Sequence, residues 1–275
     1  MSAGILRSAA SSGGGADAWR VEVDAAPGRL VVAGVIGKAR EHAHAAVQVL
    51  ACGSGRVLLS DGRDELPVRA AVIPAGHTHR VRPAPGPPPM GVMVYLDADT
   101  TAGRALHDTA ARGGVAGWAA AASVFAEAES PSVAVSAAGV LRALDRLGAA
   151  DPGQPRHPAL AAALAALPGA VADGPVRVGE VAARAGVSAS RLGHLFAEQL
   201  GWSFPAAVRW ARLQAAIVSV RGGANATEAA HAAGFSDSAH LTRVCKAMFG
   251  ITPSQALAAA HWTPTAGGPE TRRGR

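Results

Sequence analysis

The chain has 275 residues, 49% of them hydrophobic and 17% charged, which suffices to bury the cores of two ordinary domains and excludes a disordered polymer. Its formal charge is +6, with the basic excess mainly beyond residue 172; this favours a polyanionic partner at that end, although solubility alone would also account for a small excess. Two distant cysteines, Cys52 and Cys245, exclude a disulfide framework, and the lack of any long apolar run excludes a secretory signal or membrane span, so a soluble cytoplasmic protein is expected.

Residues 1–16 are rich in Ser, Gly and Ala and are expected to be disordered. From residue 17 to 98 the pattern becomes short Val-rich runs such as "WRVEVD", "LVVAGVIG", "AAVQVLACGSG" and "GVMVYLD", separated by Gly- and Pro-containing turns. Such runs predict an antiparallel all-β unit. "PAPGPPP", Pro83 to Pro89, is a loop, because proline suits neither a central strand nor a helix interior. His42, His44 and Gln48 share one run, and "PAGHTH" adds His77 and His79. His-x-His on a strand places both rings on one face. With His79 from a neighbouring strand, the set could ligate a metal, bind a small-molecule effector together with Gln48, or form a hydrogen-bonded core. All three readings stay open here, and no cofactor is assigned.

Residues 99–147 are Ala-rich and predict two or three helices, with Pro131 as a break. They would cover the β unit or pair two protomers in a homodimer. "GAADPGQPRHP", 148–158, reads as a linker. Residues 159–262 predict an all-α region, and 263–275 a disordered basic tail.

Inside the all-α region one plan occurs twice. In the second copy "EAAHAA" leads, with Thr227 as its expected cap; Gly234 turns, Phe235 plugs and Ser236 caps the next helix. Leu241, Val244, Cys245 and Met248 then form one apolar stripe at helical spacing. Ser238, Ala239, Thr242, Arg243 and Lys246 lie opposite. In the first copy "VGEVAARA" leads, buried through Val178, Val181, Ala182 and Ala185; Gly186 turns, Val187 plugs and Ser188 caps. Leu192, Leu195 and Phe196 are its stripe; Ser190, Arg191, Gly193 and His194 face outward. A helix, tight turn and second helix with a light polar face is the plan of helix-turn-helix DNA binders, and the repeat strengthens each copy. The connecting helix, "FPAAVRWARLQAAIVSVRGG", is long enough to hold the two heads in successive major grooves.

Residues 159–257 resemble the DNA-binding domain of AraC/XylS-type transcription regulators, most specifically through "AGFSDSAHLTRVCKAMFGITPSQ". The resemblance implies a seven-helix domain spanning about two turns of DNA, and activation through contact with RNA polymerase. This chain departs from the family pattern at His194, where Arg is typical, at Cys245, where an aromatic is usual, and after "TPSQ", where a Tyr-Arg pair is common. "IPAGHTHRV" with "EHAHAAVQ" similarly resembles the cupin barrel that often precedes such domains, with Gln48 where metal-binding cupins place Glu. The expected fold class is α+β: an N-terminal antiparallel, cupin-like β-barrel followed by an all-α domain with two helix-turn-helix units.

Arg243 is the first candidate for a base contact, since its guanidinium pairs with guanine O6 and N7. Ser238, Ala239, Thr242, Ser190 and His194 could meet base edges or phosphates, and Gly193 admits a close backbone approach. Ser188, Ser236 and Lys246 flank these faces. Arg191, Arg209 and Arg212 are candidates for phosphates, Arg191 and Arg212 equally for a surface or core-edge role. The expected function is a non-enzymatic, sequence-specific regulator of transcription with double-stranded DNA and a small-molecule effector as partners. The rivals are a metal-dependent cupin enzyme using His42, His44 and His79, and an architectural DNA binder without a ligand.

Overall fold

The computed structural model describes residues 20–26, 28–128, 137–149 and 156–262. The expected disordered ends, 1–16 and 263–275, lie outside the described residues, as do Pro131 and most of the 148–158 linker.

Nine strands come first: β1 (Arg20–Ala26), β2 (Arg29–Val35), β3 (Ala39–His42), β4 (Ala46–Ser54), β5 (Val57–Ser60), β6 (Glu65–Val68), β7 (Ala70–Ile73), β8 (His79–Pro83) and β9 (Met90–Asp97). Helices α1 (Thr101–Ala110), α2 (Gly114–Ala121), a 3-10 turn and α3 (Ala137–Gly148) follow. Seven more helices complete the chain: α4 (Pro158–Ala172), α5 (Val178–Arg184), α6 (Ala189–Leu200), α7 (Phe204–Arg221), α8 (Ala226–Ala232), α9 (Ser238–Phe249) and α10 (Pro253–Ala259). A last strand, β10 (Ala260–Trp262), ends the described residues.

The strands form two sheets, ordered β10-β1-β2-β9-β4-β7 and β3-β8-β5-β6. Pairing is antiparallel except for β10, which joins β1 in parallel register, Val21 opposite Ala260. The expected barrel does not close: the two sheets share no strand, and each keeps its own edges among the described residues. The end of α9 lies on β3, with the N–H groups of Arg40 and Ala43 donating to the carbonyl oxygens of Gly250 and Ala247 at 3.2 and 3.1 Å. β4 is buried on both faces through Gly53's neighbour Cys52, because the second sheet covers one side and α1 and α3 pack on the other. That explains why "AVQVLAC" reads as a continuous apolar run instead of an alternating one.

Helices α4 to α10 carry the two copies of the repeated plan. Gly186 and Gly234 sit at φ +71° and +72°, the left-handed conformation that a sharp turn between helices needs. Both expected stripes are buried. Ser188 caps α6, its hydroxyl accepting from the N–H of Arg191. Two expected caps are displaced. α9 is capped by Asp237, whose carboxylate accepts from the N–H of His240 at 2.6 Å, while the Ser236 hydroxyl turns to the Asp237 side chain. α8 is capped by Asn225 in a reciprocal box with Glu228, leaving Thr227 inside the helix. Val178, expected in the core, is exposed because it opens α5, one turn short of the stripe that Val181 begins.

The copies rest on different cores. The first, built on α4, α5, α6 and the start of α7, packs around Leu160, Leu195, Phe196 and Phe204. The second packs through Phe235, Leu241, Val244 and Met248 into the same core as the two sheets.

Candidate nucleic-acid interface and the cavity behind it

The outward faces of α6 and α9 are where the sequence pattern puts them. Ser188, Ser190, Arg191 and His194 are exposed, as are Ser236, Ser238, Ala239, Arg243 and Lys246; Gly193 and Thr242 are half-buried. Two of these side chains fold back on their own helix. The Thr242 hydroxyl donates to the Ser238 carbonyl oxygen, and His194 Nδ1 meets the Ser190 carbonyl oxygen, both at 2.8 Å. Arg191 pairs loosely with Glu198 at 3.6 Å. Arg209 is exposed on α7, whereas Arg212 is half-buried against the Gly234 turn as a core-edge residue. A Cβ added at Gly193 would meet no atom within 4 Å, so nothing inside the fold requires glycine there. The 18-residue α7 spans about 27 Å between the two units.

The strand module touches both units from behind. Besides the α9–β3 contact, Arg156 donates to the Gln199 carbonyl oxygen near the end of α6 and to the Ala98 carbonyl oxygen. Asp97 at the end of β9 accepts from Trp210 Nε1 and Gln214 Nε2 on α7, both at 2.8 Å. Burial pushes the Asp97 carboxyl upward despite these two donors. Arg221, at the other end of α7, donates to the Ala25 carbonyl oxygen and pairs with Asp24 at 3.4 Å.

Between the sheets and the helices lies a cavity of about 140 Å³. Alternate residues of β1 and β9, Val21 and Val23, Met93 and Tyr95, face it from one side. Leu213, Ala216, Ile217 and Val220 of α7 and Leu241, Cys245 and Phe249 of α9 face it from the other. Sequence reasoning pointed to one wall of this cavity, through His42 and Gln48, and missed the helical wall. It treated the stripe of α9 as ordinary core, and no local pattern reveals that two modules will meet across it.

Of the four residues expected to bind an effector, His42 and Gln48 line the cavity; His44 and His79 stand behind them. The three buried rings converge, with a nitrogen of each lying within 4.8 Å of those of the others. Nδ1 of His42, His44 and His79 faces the carbonyl oxygens of Arg40, Ala46 and His77 at 2.7, 2.8 and 2.9 Å. A carbonyl oxygen only accepts, so the neutral His42 ring, whose other nitrogen has no partner among the described residues, carries its proton on Nδ1 and leaves Nε2 as a lone pair. Gln48 Oε1, likewise an acceptor only, lies 3.0 Å from Nε2 of His44 and of His79, so each of these rings has acceptors at both nitrogens and its single proton serves one of them. Burial lowers all three ring pKa values, that of His42 to about 3 with help from His44, so the rings are neutral at physiological pH. His77, outside this set, points its Nδ1 to the Ala75 carbonyl oxygen.

The family model of a helix-turn-helix domain matches residues 181–259. Among solved structures, ToxT from Vibrio cholerae superposes with a TM-score of 0.53 at 12% identity, covering 84% of this chain and 98% of that one. The unsaturated fatty acid-bound wild-type ToxT from Vibrio cholerae strain SCE256 gives 0.52 at 11%, covering 85% and 96%. A transcriptional regulator (AraC-type DNA-binding domain-containing proteins) from Chromobacterium violaceum is 25% identical over 37% of this chain and 90% of that one, at a TM-score of 0.35. No curated protein matches the chain. At such identities the ToxT likeness speaks for the shared architecture, antiparallel sheets followed by a helical domain. No described helix is long and apolar enough to cross a membrane.

Proposed function

Residues 181–259 form an AraC-type helix-turn-helix domain, and from that premise we propose that the protein is a sequence-specific transcription regulator whose strand module senses a small molecule. One observation carries the sensing half: the cavity is walled jointly by the strands and by the buried stripe of α9, whose opposite face bears Arg243. A ligand there touches the back of a DNA-reading helix directly. The fatty acid bound by the similarly folded ToxT supports an apolar ligand for this chain as well.

In this reading Arg243 contacts a guanine, with Ser238, Ala239 and Thr242 beside it on a base edge or phosphate. Ser190 and His194 read for the first unit, and Gly193 lets its backbone approach. Arg191, Arg209 and Lys246 hold phosphates, and Ser188 and Ser236 flank the faces. Because the second unit shares its core with the sheets and the first does not, a ligand shifts the population of arrangements between the units. Contact with RNA polymerase, and pairing of two protomers, belong to the proposal on family resemblance alone.

The histidine cluster enters as a hydrogen-bonded core, with no enzymatic role. Its donor set is three neutral imidazoles and an amide, with no carboxylate to balance a buried divalent charge, and Gln48 already bridges two rings. Metal analysis of the purified protein checks this, and a stoichiometric transition metal would revive the enzyme reading.

The experiment for the whole proposal is selection of genomic fragments by purified protein, followed by titration of the enriched sequence against random duplex at one salt concentration. A preference of about 10³-fold or more is expected. Equal binding to both would reduce the protein to a non-specific binder.

A further inference from the structure

The cavity also specifies the kind of molecule it takes, and this step rests on the proposal that it is the effector site. Among the described residues its lining contains no Lys, Arg, Asp or Glu. Among the described residues, His42, Gln48, Tyr95, Cys245 and the Met93 sulfur interrupt the hydrocarbon surface with side-chain groups able to hydrogen-bond. Gln48 is engaged with His44 and His79. His42 is different. It is 5% exposed, its Nδ1 is engaged with Arg40, and its Nε2 has no hydrogen-bond partner among the described residues. An unpartnered nitrogen lone pair that is not fully enclosed, on a residue lining an apolar cavity, is an unmet acceptor.

We propose that the cavity binds an uncharged, largely apolar molecule that donates one hydrogen bond, from a hydroxyl group, to Nε2 of His42. The donor is required because Nδ1 already holds the ring's proton against the Arg40 carbonyl oxygen. The lack of charge is required because no cation lines the wall to pair with a carboxylate, and an unpaired buried carboxylate is strongly disfavoured. A fatty acid would therefore enter as its neutral form, about one part in a thousand at pH 7.5. The size suits a single ring or a medium alkyl chain, since an engineered cavity of about 150 Å³ accepts benzene.

The test uses the full chain and three probes of one length: 1-octanol, octanoate, and heptyl methyl ether, which has no donor. Thermal unfolding at pH 7.5 is followed with each at equal concentration. The expected result is stabilisation by octanol, affinity roughly tenfold weaker for the ether, and about 100-fold weaker or undetectable for octanoate. Octanoate binding as well as octanol would overturn the requirement for a neutral ligand. Ether matching octanol would overturn the hydrogen bond to His42. If none of the three shifts the transition, the cavity is not a ligand site, and the sensing half of the proposed function falls with it while the DNA-binding half stands.

Discussion

A side chain at Gly250 would place its Cβ 2.5 Å from the carbonyl oxygen of Arg40. The same glycine ends α9 at φ +69°, so one residue meets two demands: the left-handed cap of a DNA-reading helix and the close approach of that helix to β3. Gly250→Ala is therefore expected to destabilise the chain by more than about 1 kcal/mol. Denaturant unfolding measures it. An unchanged midpoint would mean that α9 and β3 do not meet in solution.

Gly193 is the contrasting case. Its Cβ would touch nothing, so Gly193→Ala is expected to stabilise the isolated protein by about 0.5–1 kcal/mol through helix propensity. The same substitution is expected to weaken binding to the selected DNA, because the added methyl stands on the face proposed to approach the groove. Parallel unfolding and binding titrations separate the two effects. Full retention of DNA affinity would remove Gly193 from the interface.

Arg243→Ala is expected to cost about 1–3 kcal/mol on the selected site and to relax the preference at one base pair. The check is a titration against the site with each base pair varied. A uniform loss across all variants would assign Arg243 to phosphate.

The neutral histidine cluster makes the fold sensitive to acid. His42, His44 and His79 all have folded pKa values below the ordinary 6.5, so the unfolded chain takes up protons that the folded one refuses. Their contribution is complete above about pH 6.5 and is lost as pH falls, for His42 down to about 3. Between pH 7.5 and 5.5 stability should fall, with His42 alone, whose folded pKa is about 3, removing about 1 kcal/mol and the other two rings acting in the same direction. Unfolding curves at the two values test it, and equal stability at both would show that the rings protonate without hindrance.

Ala216 is buried on α7 and faces the cavity. Ala216→Leu is expected to occupy part of the space and to weaken the thermal response to octanol by tenfold or more, with binding to DNA retained in the absence of ligand. An undiminished response would place the ligand elsewhere.

The helical units were largely legible in the sequence because their signals are local. Glycine at the turn, a capping side chain and an i, i+3, i+4, i+7 stripe all act within a dozen residues, and Gly234, Phe235 and Leu241 fall where those signals put them. The caps were misplaced by one or two residues because Ser236 and Asp237, or Asn225 and Thr227, are each competent, and hydrogen-bond geometry chooses between them. The strands were legible as strands, but their closure was not, since it depends on α9 lying against β3. Of the cavity only one patch of wall was legible, through His42 and Gln48. Leu213 and Val23 are far apart in the chain, and nothing local to either says that they face one another across a space.

The pairing of β10 with β1 places residue 260 beside residue 21. One flank of β1 thus waits, during synthesis, until the chain as far as Trp262 has left the ribosome. Until then that flank offers unsatisfied amides and carbonyls to any passing neighbour. Nascent or clipped forms lacking the final three-residue ladder should consequently be the ones that clump.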